Sequence, residues 1–484
     1  MEIILRSNTD DKVNQNISLL VLGILFAFVL TFTYSAIGDK YLSVILISLL
    51  PVIIAFTFNF KLAFGFLILS LFINLYVYWF STAVWIVVLV PLSYLICFRN
   101  FNRKEFSLPI TFPLLVYLFT MFISLTNSID PLFSIYLMYN MLAFIMILYI
   151  SASAIRTKKE MRGYIILFLI LNLLNSFHVL FDGLTSNKRA FGFAGIMFVD
   201  YVGIAITMNF ILLLVRKGKK YRMFLALSFI IFIAALLVTQ TRNAWISTFL
   251  CLLLLIGFVI LNAKKFEMKR SFLVVVLAAS ILLISSLVFV VTSINPEVSE
   301  RAEETTKVEK SIDQSGKVQS SLLTRVMIWH TAYFAFLEHP VIGIGAYSFP
   351  FSSYQYYHLP RMIFEDFVEG RTPHVTFIAV AVETGLIGLF AFLFFLIASL
   401  KFSYDSIKRS KSFEDSSFSL LLFGPLVYIT ISMLMTDAWL WGQGMILWGI
   451  LLGFNLWNRK RIFQKNINKN LAITPDFDTL IQNK

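Results

Sequence analysis

The sequence predicts an all-α membrane protein, a polytopic bundle of about 12–14 transmembrane helices with one large extracytoplasmic loop. Three observations predict it. Of 484 residues, 58% are hydrophobic and only 14% are charged, whereas a soluble domain is roughly half apolar and a quarter charged. The apolar residues fall in continuous runs near the ~20 residues that a ~30 Å hydrocarbon core demands of a spanning helix. Those runs lack the short alternation of a membrane β-barrel, and a helix satisfies its own backbone polar groups where no water can.

The first apolar run, 17–37, is long and has no A-x-A exit, and Asp10 and Asp11 offset Arg6 and Lys12. It reads as an anchored span rather than a cleaved signal. Further spans are expected at 41–58, 62–80, 82–98, 108–126, 132–154, 164–182, 193–215, 223–240, 244–262 and 271–292, so that 1–292 forms an N-terminal helical set. Residues 293–374 form the large loop, 375–457 a C-terminal set with spans at 375–400, 417–436 and 438–457, and 458–484 a tail.

Loop charge orients this ladder. Arg99, Arg103 and Lys104 mark one loop, and Arg156, Lys158, Lys159 and Arg162 the next but one. Arg216 to Arg222, Lys264 to Arg270, Lys401 to Lys411 and Arg459 to Arg461 continue the alternation. Clusters on alternate loops share one side, the cytoplasm. Both termini are then cytoplasmic and the 293–374 loop faces outward. The net charge of +13 is accounted for by these loops, and with no basic soluble domain to carry it, nucleic acid is not an expected partner. Cys97 and Cys251 sit within apolar runs and read as small hydrophobes, not as a disulfide or metal site.

The outer loop has its own organisation. Residues 295–317 are polar, with six carboxylates among lysines. From Ser320 to Glu338, Leu322, Val326, Trp329, Tyr333 and Leu337 recur at three and four, predicting a helix that lies along the outer interface. Pro340 stops it, Gly343 and Gly345 permit a turn, and the aromatic stretch Phe349 to Tyr357 is expected at headgroup level.

Five outward cations and two carboxylates are candidates for chemistry: Arg189, Arg242, Arg325, Arg371 and His374, with Asp200 and Glu383 inside spans. Each alone has a simpler reading. Arg189 and Arg242 can snorkel to headgroups, Arg325 and Arg371 can be solvated, His374 can cap a helix, and Glu383 can pair with an arginine. Charge within a span nevertheless costs about 3 kcal/mol on insertion scales and calls for a partner or a wet cavity. Several arginines on one outward face suit a polyanion of fixed geometry, because guanidinium binds phosphate oxygens bidentately. At an outer leaflet that polyanion is a lipid-linked pyrophosphate, and a neighbouring histidine could take a proton from an attacking hydroxyl.

The pattern Arg325-x-x-x-Trp329, Glu338-His339-Pro340-x-x-Gly343-x-Gly345-x-x-x-Phe349, Pro373-His374, Glu383-x-Gly385-Leu386-x-Gly388 resembles the O-antigen ligase and polymerase family. Thr241-Arg242-Asn243-Ala244-Trp245 is similar to that family's Thr-Arg-Gly/Ser-Ala-Trp element, and Arg189-Ala190-Phe191-Gly192 to its Arg-x-x-Gly element. The motifs run from about residue 189 to 388. Two departures stand out: Val375 follows the loop histidine where the family often has Asn, and Val199-Asp200 replaces a frequent Pro-Asn.

The resemblance implies a bacterial membrane glycosyltransferase acting on undecaprenyl-pyrophosphate-linked glycan, with a glycan acceptor and membrane lipid as partners and a flippase and chain-length regulator in the same pathway. Combined with the residue reading, it gives Arg242, Arg325 and His374 catalytic roles. The arginines hold the pyrophosphate and stabilise its departure, and His374 is the general base. Arg189, Asp200, Trp329, Arg371 and Glu383 contact substrate. In-line attack predicts inversion, with no metal and no cofactor. Asp476-Phe477-Asp478 resembles the Asp-x-Asp of metal-dependent glycosyltransferases but falls in the tail, on the wrong side. A polymerase of repeat units is the leading reading, a ligase of finished glycan the first alternative. A flippase or transporter is the second, against which stands the lack of an internal repeat.

Overall fold

The computed structural model describes residues 58–72, 90–97, 108–186, 190–215, 218–269, 321–440 and 442–471. The spans expected at 17–37 and 271–292, nearly all of 41–58, parts of 62–80 and 82–98, Arg189, residues 293–320 and the last 13 residues of the tail lie outside them. The chain divides into two compact units, one of Met1–Leu67 with Trp79–Phe101 and one of Ile68–Tyr78 with Asn102–Lys484. In the first, the described residues give most of α1 (Phe60–Ser70) and α2 (Val90–Cys97). There Phe60 stacks on Phe64 at 5.6 Å and meets Tyr94 edge-on at 6.0 Å.

The second unit is built, among the described residues, of helices without a strand. In chain order they are α3 (Thr111–Ser124), α4 (Pro131–Leu137), α5 (Tyr139–Ala154), α6 (Lys158–Ser186), α7 (Phe198–Val215), α8 (Lys219–Val238), α9 (Arg242–Leu261), α10 (Ser321–Glu338), α11 (Phe349–Ser352), α12 (Arg361–Phe367), α13 (Thr376–Arg409), α14 (Phe413–Ser432) and α15 (Gly442–Leu471). Seven stretches of the described chain are long and apolar enough to cross a bilayer: α4 with α5, α6, α7 with its lead-in turn, α8, α9, α13 and α14. The protein is a polytopic helical membrane bundle.

Burial ranks these helices. The apolar windows of α7 and α14 are 83% buried, against 33% for α6, so α7 and α14 form the inner pair. Their close approach depends on Gly203, where a Cβ would fall 2.3 Å from the Tyr428 ring. Small residues at membrane interfaces let backbones approach and gain dispersion contacts that lipid would otherwise supply. Asp200, one turn earlier on α7, is buried among these helices and accepts from Ser432 Oγ at 2.9 Å and from the Tyr428 hydroxyl at 3.3 Å. Around the pair, α13 packs on α3 through Tyr117 and Phe392 at 5.2 Å, and on α15 through Phe395 and Trp448 at 5.5 Å.

α13 is not continuous. Gly385 has φ 66° and ψ −169°, which breaks the helix and strips the carbonyls before it and the N–H groups after it of their intrahelical partners. The segment after α10 supplies replacements. Ile344 and Gly345 N–H donate to the Val382 and Glu383 carbonyls, and the Leu386 and Ile387 N–H groups donate to the Pro340 and Val341 carbonyls, all at 2.9–3.2 Å. This junction requires bare backbone on both sides: a Cβ on Gly343 would fall 2.4 Å from the Glu383 carbonyl carbon, and one on Gly385 2.2 Å from the Val341 oxygen. Two motifs far apart in the sequence are therefore the two halves of one main-chain junction.

The helix expected over 320–338 is found as Ser321–Glu338, but the face that packs is not the periodic one. Ile328, Thr331, Ala332 and Ala335 are buried, while Val326, Tyr333 and Leu337 are exposed. Small residues allow α10 to sit against Ile344, Phe349, Phe364, Val368 and Val382, and the larger apolar stripe points away from this core. The aromatic stretch that was expected at headgroup level divides likewise: Phe349 and Tyr356 are core residues, and only Phe351 and Tyr354 of its aromatic side chains are exposed.

Candidate functional site

Four elements meet at one end of the second unit. α9 begins at Arg242 after a buried Gln240 with φ 53°. α10 brings Arg325 and Trp329, the residues before α13 bring His374, and the turn after α14 brings Asp437. Hydrogen bonds tie them. Arg325 Nη1 donates to Asn243 Oδ1 at 3.2 Å, and Asn243 Nδ2 donates to the Met435 carbonyl at 2.9 Å. Trp329 Nε1 donates to the Pro373 carbonyl at 2.9 Å. Thr376 N–H is shared between the carbonyls of Met433 and Thr436, and its hydroxyl donates to Thr436 at 2.7 Å.

His374 is thus held on both sides by fixed neighbours. Its own backbone has φ 57°, a left-handed conformation that histidine enters more readily than most residues but that still costs roughly 1–2 kcal/mol. The ring is half-buried, with Nδ1 4.0 Å from Asp437 Oδ1. Asp437 is buried, and its other oxygen has no hydrogen-bond partner. At 4.0 Å the two groups are too far apart for a hydrogen bond, and they form an ion pair only when the imidazole is protonated.

Burial lowers the His374 pKa, Asp437 pulls it up, and the positive charges of Arg325 and Arg371 push it down; the net shift is downward. The ring is therefore neutral at physiological pH and available as a base. Arg325 is also drawn below its usual range by burial and by Arg242, with Asp437 opposing. Arg242, Arg325, His374 and Asp437 accordingly share one electrostatic neighbourhood. Two guanidinium groups beside the Asp437 carboxylate leave that neighbourhood positive, which suits a ligand carrying phosphate oxygens.

The remaining sequence candidates distribute as follows. Trp329 belongs to the cluster through Pro373. Arg371 is exposed and donates to the Asp366 carbonyl at 2.9 Å, and its charge reaches His374. Glu383 is buried, and its carboxylate accepts the main-chain N–H groups of Tyr347 at 3.0 Å and Phe349 at 3.4 Å. It thereby fixes the turn after Gly345, and the Tyr347 hydroxyl in turn donates to the Leu440 carbonyl, one turn beyond Asp437. Arg189 lies outside the described residues; in the turn that follows it, Phe193 N–H donates to Asn175 Oδ1 of α6 at 2.7 Å.

Two members of the cluster were not singled out as site residues from sequence. Asn243 was visible only as a motif letter. Asp437 falls in the short polar turn Thr436-Asp437 between two apolar runs, and a lone carboxylate there is the one signal that could have marked it.

The bundle and this cluster define a multi-pass membrane protein with a cationic site built at helix ends. The family model for O-antigen ligase matches residues 227–393, and assigns that segment, from within α8 to within α13, to the O-antigen ligase and polymerase family. No curated protein matches the chain. The matched segment contains Arg242, Asn243, Arg325, Trp329, Arg371, His374 and Glu383; Asp200 and Asp437 lie outside it. The function that goes with the family is glycan processing at a membrane.

Proposed function

We propose that the protein is a glycosyltransferase of the cell membrane that joins undecaprenyl-pyrophosphate-linked oligosaccharide repeat units into a cell-surface polysaccharide. The observation that carries this reading is the convergence of Arg242, Arg325, His374 and Asp437 from elements up to 195 positions apart in the numbering. Arg242 and Arg325 hold the donor pyrophosphate, with Arg371 at its edge, and stabilise the negative charge that develops as the carrier lipid leaves. Asp437 orients the imidazole through Nδ1, so that Nε2 takes the proton of the acceptor hydroxyl. The 4.0 Å contact shortens in the substrate complex, as catalytic hydrogen bonds often do. The hydroxyl oxygen attacks the anomeric carbon as its bond to the pyrophosphate oxygen breaks, giving inversion. The site faces outward, the termini are cytoplasmic, and the step uses no metal. Asn243 and Trp329 position Arg325 and Pro373. Asp200 and Glu383 act at one remove, through Ser432 and through Tyr347.

The test is purified protein with a defined polyprenyl-pyrophosphate oligosaccharide, with products resolved by length. The wild-type protein makes a ladder of repeats. His374→Ala and Arg242→Ala insert normally and make none, a loss of about 100- to 10,000-fold for the missing base. Normal ladders from both variants would end the enzymatic reading. A single transfer to another acceptor, without a ladder, would make it a ligase, and movement of the lipid without transfer would make it a flippase.

A further inference from the structure

The end of the second unit away from this cluster carries a second concentration of charge. His374 precedes the first residue of α13, while Asp405 and Arg409 close it. From the break at Gly385 to Arg409 the helix runs about 36 Å at 1.5 Å per residue, so the two sets lie at opposite ends of the bundle. One half of the far set is paired with carboxylates by contact. Asp415 receives Arg461 and Lys465, each at 2.7 Å, and Glu414 receives Lys158 at 2.9 Å and Arg162 at 2.7 Å.

The other half is not. The guanidinium carbons of Arg409 and Arg459 lie 4.1 and 4.4 Å from the centroid of the same Phe463 ring. Arg459 also lies 5.0 Å from the Phe402 ring centroid. The single carboxylate here, Asp405, reaches Arg459 at 3.6 Å. Arg459 Nε is buried without a hydrogen-bond partner, and among the described residues Arg409 has no carboxylate within ion-pair distance. Beside them Lys265 Nζ donates to the Lys408 carbonyl at 2.7 Å, adding a third cation. Two guanidinium forks fixed by one aromatic ring, with an unused buried donor and an excess of positive charge, form a seat for a tetrahedral dianion or monoanion. Its neighbours are membrane-crossing helices, where the abundant anion is the phosphate of a lipid headgroup, and basic pockets between helix ends are where such headgroups bind.

We propose that Arg409 and Arg459 hold the phosphate of an anionic membrane phospholipid against Phe463. The site is independent of the glycan-transfer reading. The full-length protein is reconstituted in bilayers of mixed phosphatidylglycerol and phosphatidylcholine, released into detergent, and its retained lipid weighed by native mass spectrometry. The expected result is preferential retention of phosphatidylglycerol, reduced about tenfold by Arg409→Gln with Arg459→Gln, a loss of about 1.4 kcal/mol. Arg409→Gln alone, at an exposed position, gives a smaller loss in a protein of unchanged melting temperature, and Lys220→Gln gives none. Equal retention in the arginine variants, or no preference over phosphatidylcholine, would overturn the proposal. Displacement of the retained lipid by millimolar inorganic phosphate would replace the lipid with a free anion and overturn it too.

Discussion

At the scale of single residues, the behaviour of His374 is set by what surrounds its ring. Burial and two arginines lower its pKa and Asp437 opposes them. If His374 is the base, the rate rises with pH as the ring loses its proton, with a midpoint below the ordinary ~6.5 of histidine. Asp437→Asn removes the one group that favours the imidazolium, so the midpoint moves further down while the plateau rate falls, since a weaker base transfers protons less well. A pH profile of kcat/KM checks both, and a midpoint that moves upward in Asp437→Asn would refute the pairing. Asn243→Ala tests the neighbouring link: it frees Arg325 from Asn243 and is expected to raise KM for the pyrophosphate donor more than it lowers kcat. The arginines and the histidine stood out in the sequence because cations in loops expected to face outward break the positive-inside trend. Asp437 did not, because its partner lies 63 positions away in the numbering and only the docking of Thr376 on the end of α14 brings them together.

At the scale of elements, the break in α13 shows why two glycine motifs travel together. Gly343 faces the main chain of Glu383 and Thr384, and Gly385 that of Val341 and Ile342, so Gly343→Ala and Gly385→Ala are each expected to destabilise by about 1–3 kcal/mol through overpacking. The two losses are expected to be strongly non-additive in a double-mutant cycle read by thermal melting, because one displaced junction accommodates both. Simple additivity would mean the two glycines act apart. Glu383 shows the limit of motif reading. Sequence offered it as a substrate contact, whereas its carboxylate is occupied by the N–H groups of Tyr347 and Phe349. α10 shows a limit of periodicity. A stripe at three and four predicts the helix but not which face is covered, and here alanines and a threonine permitted the closer packing.

At the scale of the whole molecule, the helical class followed from composition and the length of the apolar runs, while the inner position of α7 and α14 did not. Both read as ordinary apolar runs, and what distinguishes them is the fit of Gly203 to Tyr428. Gly203→Ala should therefore lower the melting temperature, by about 1–3 kcal/mol of overpacking, and reduce transfer as well, since Asp200 and Ser432 span the same interface. A stable, fully active Gly203→Ala protein would show that the pair does not set the frame. The junction at Gly385 has one more consequence, for the order in which the chain is made. A ribosome delivers residues 340–345 before 382–387, so the strip of main chain that completes the interrupted helix is already out when that helix emerges. The discontinuity never has to wait, exposed to lipid, for a partner still to be translated.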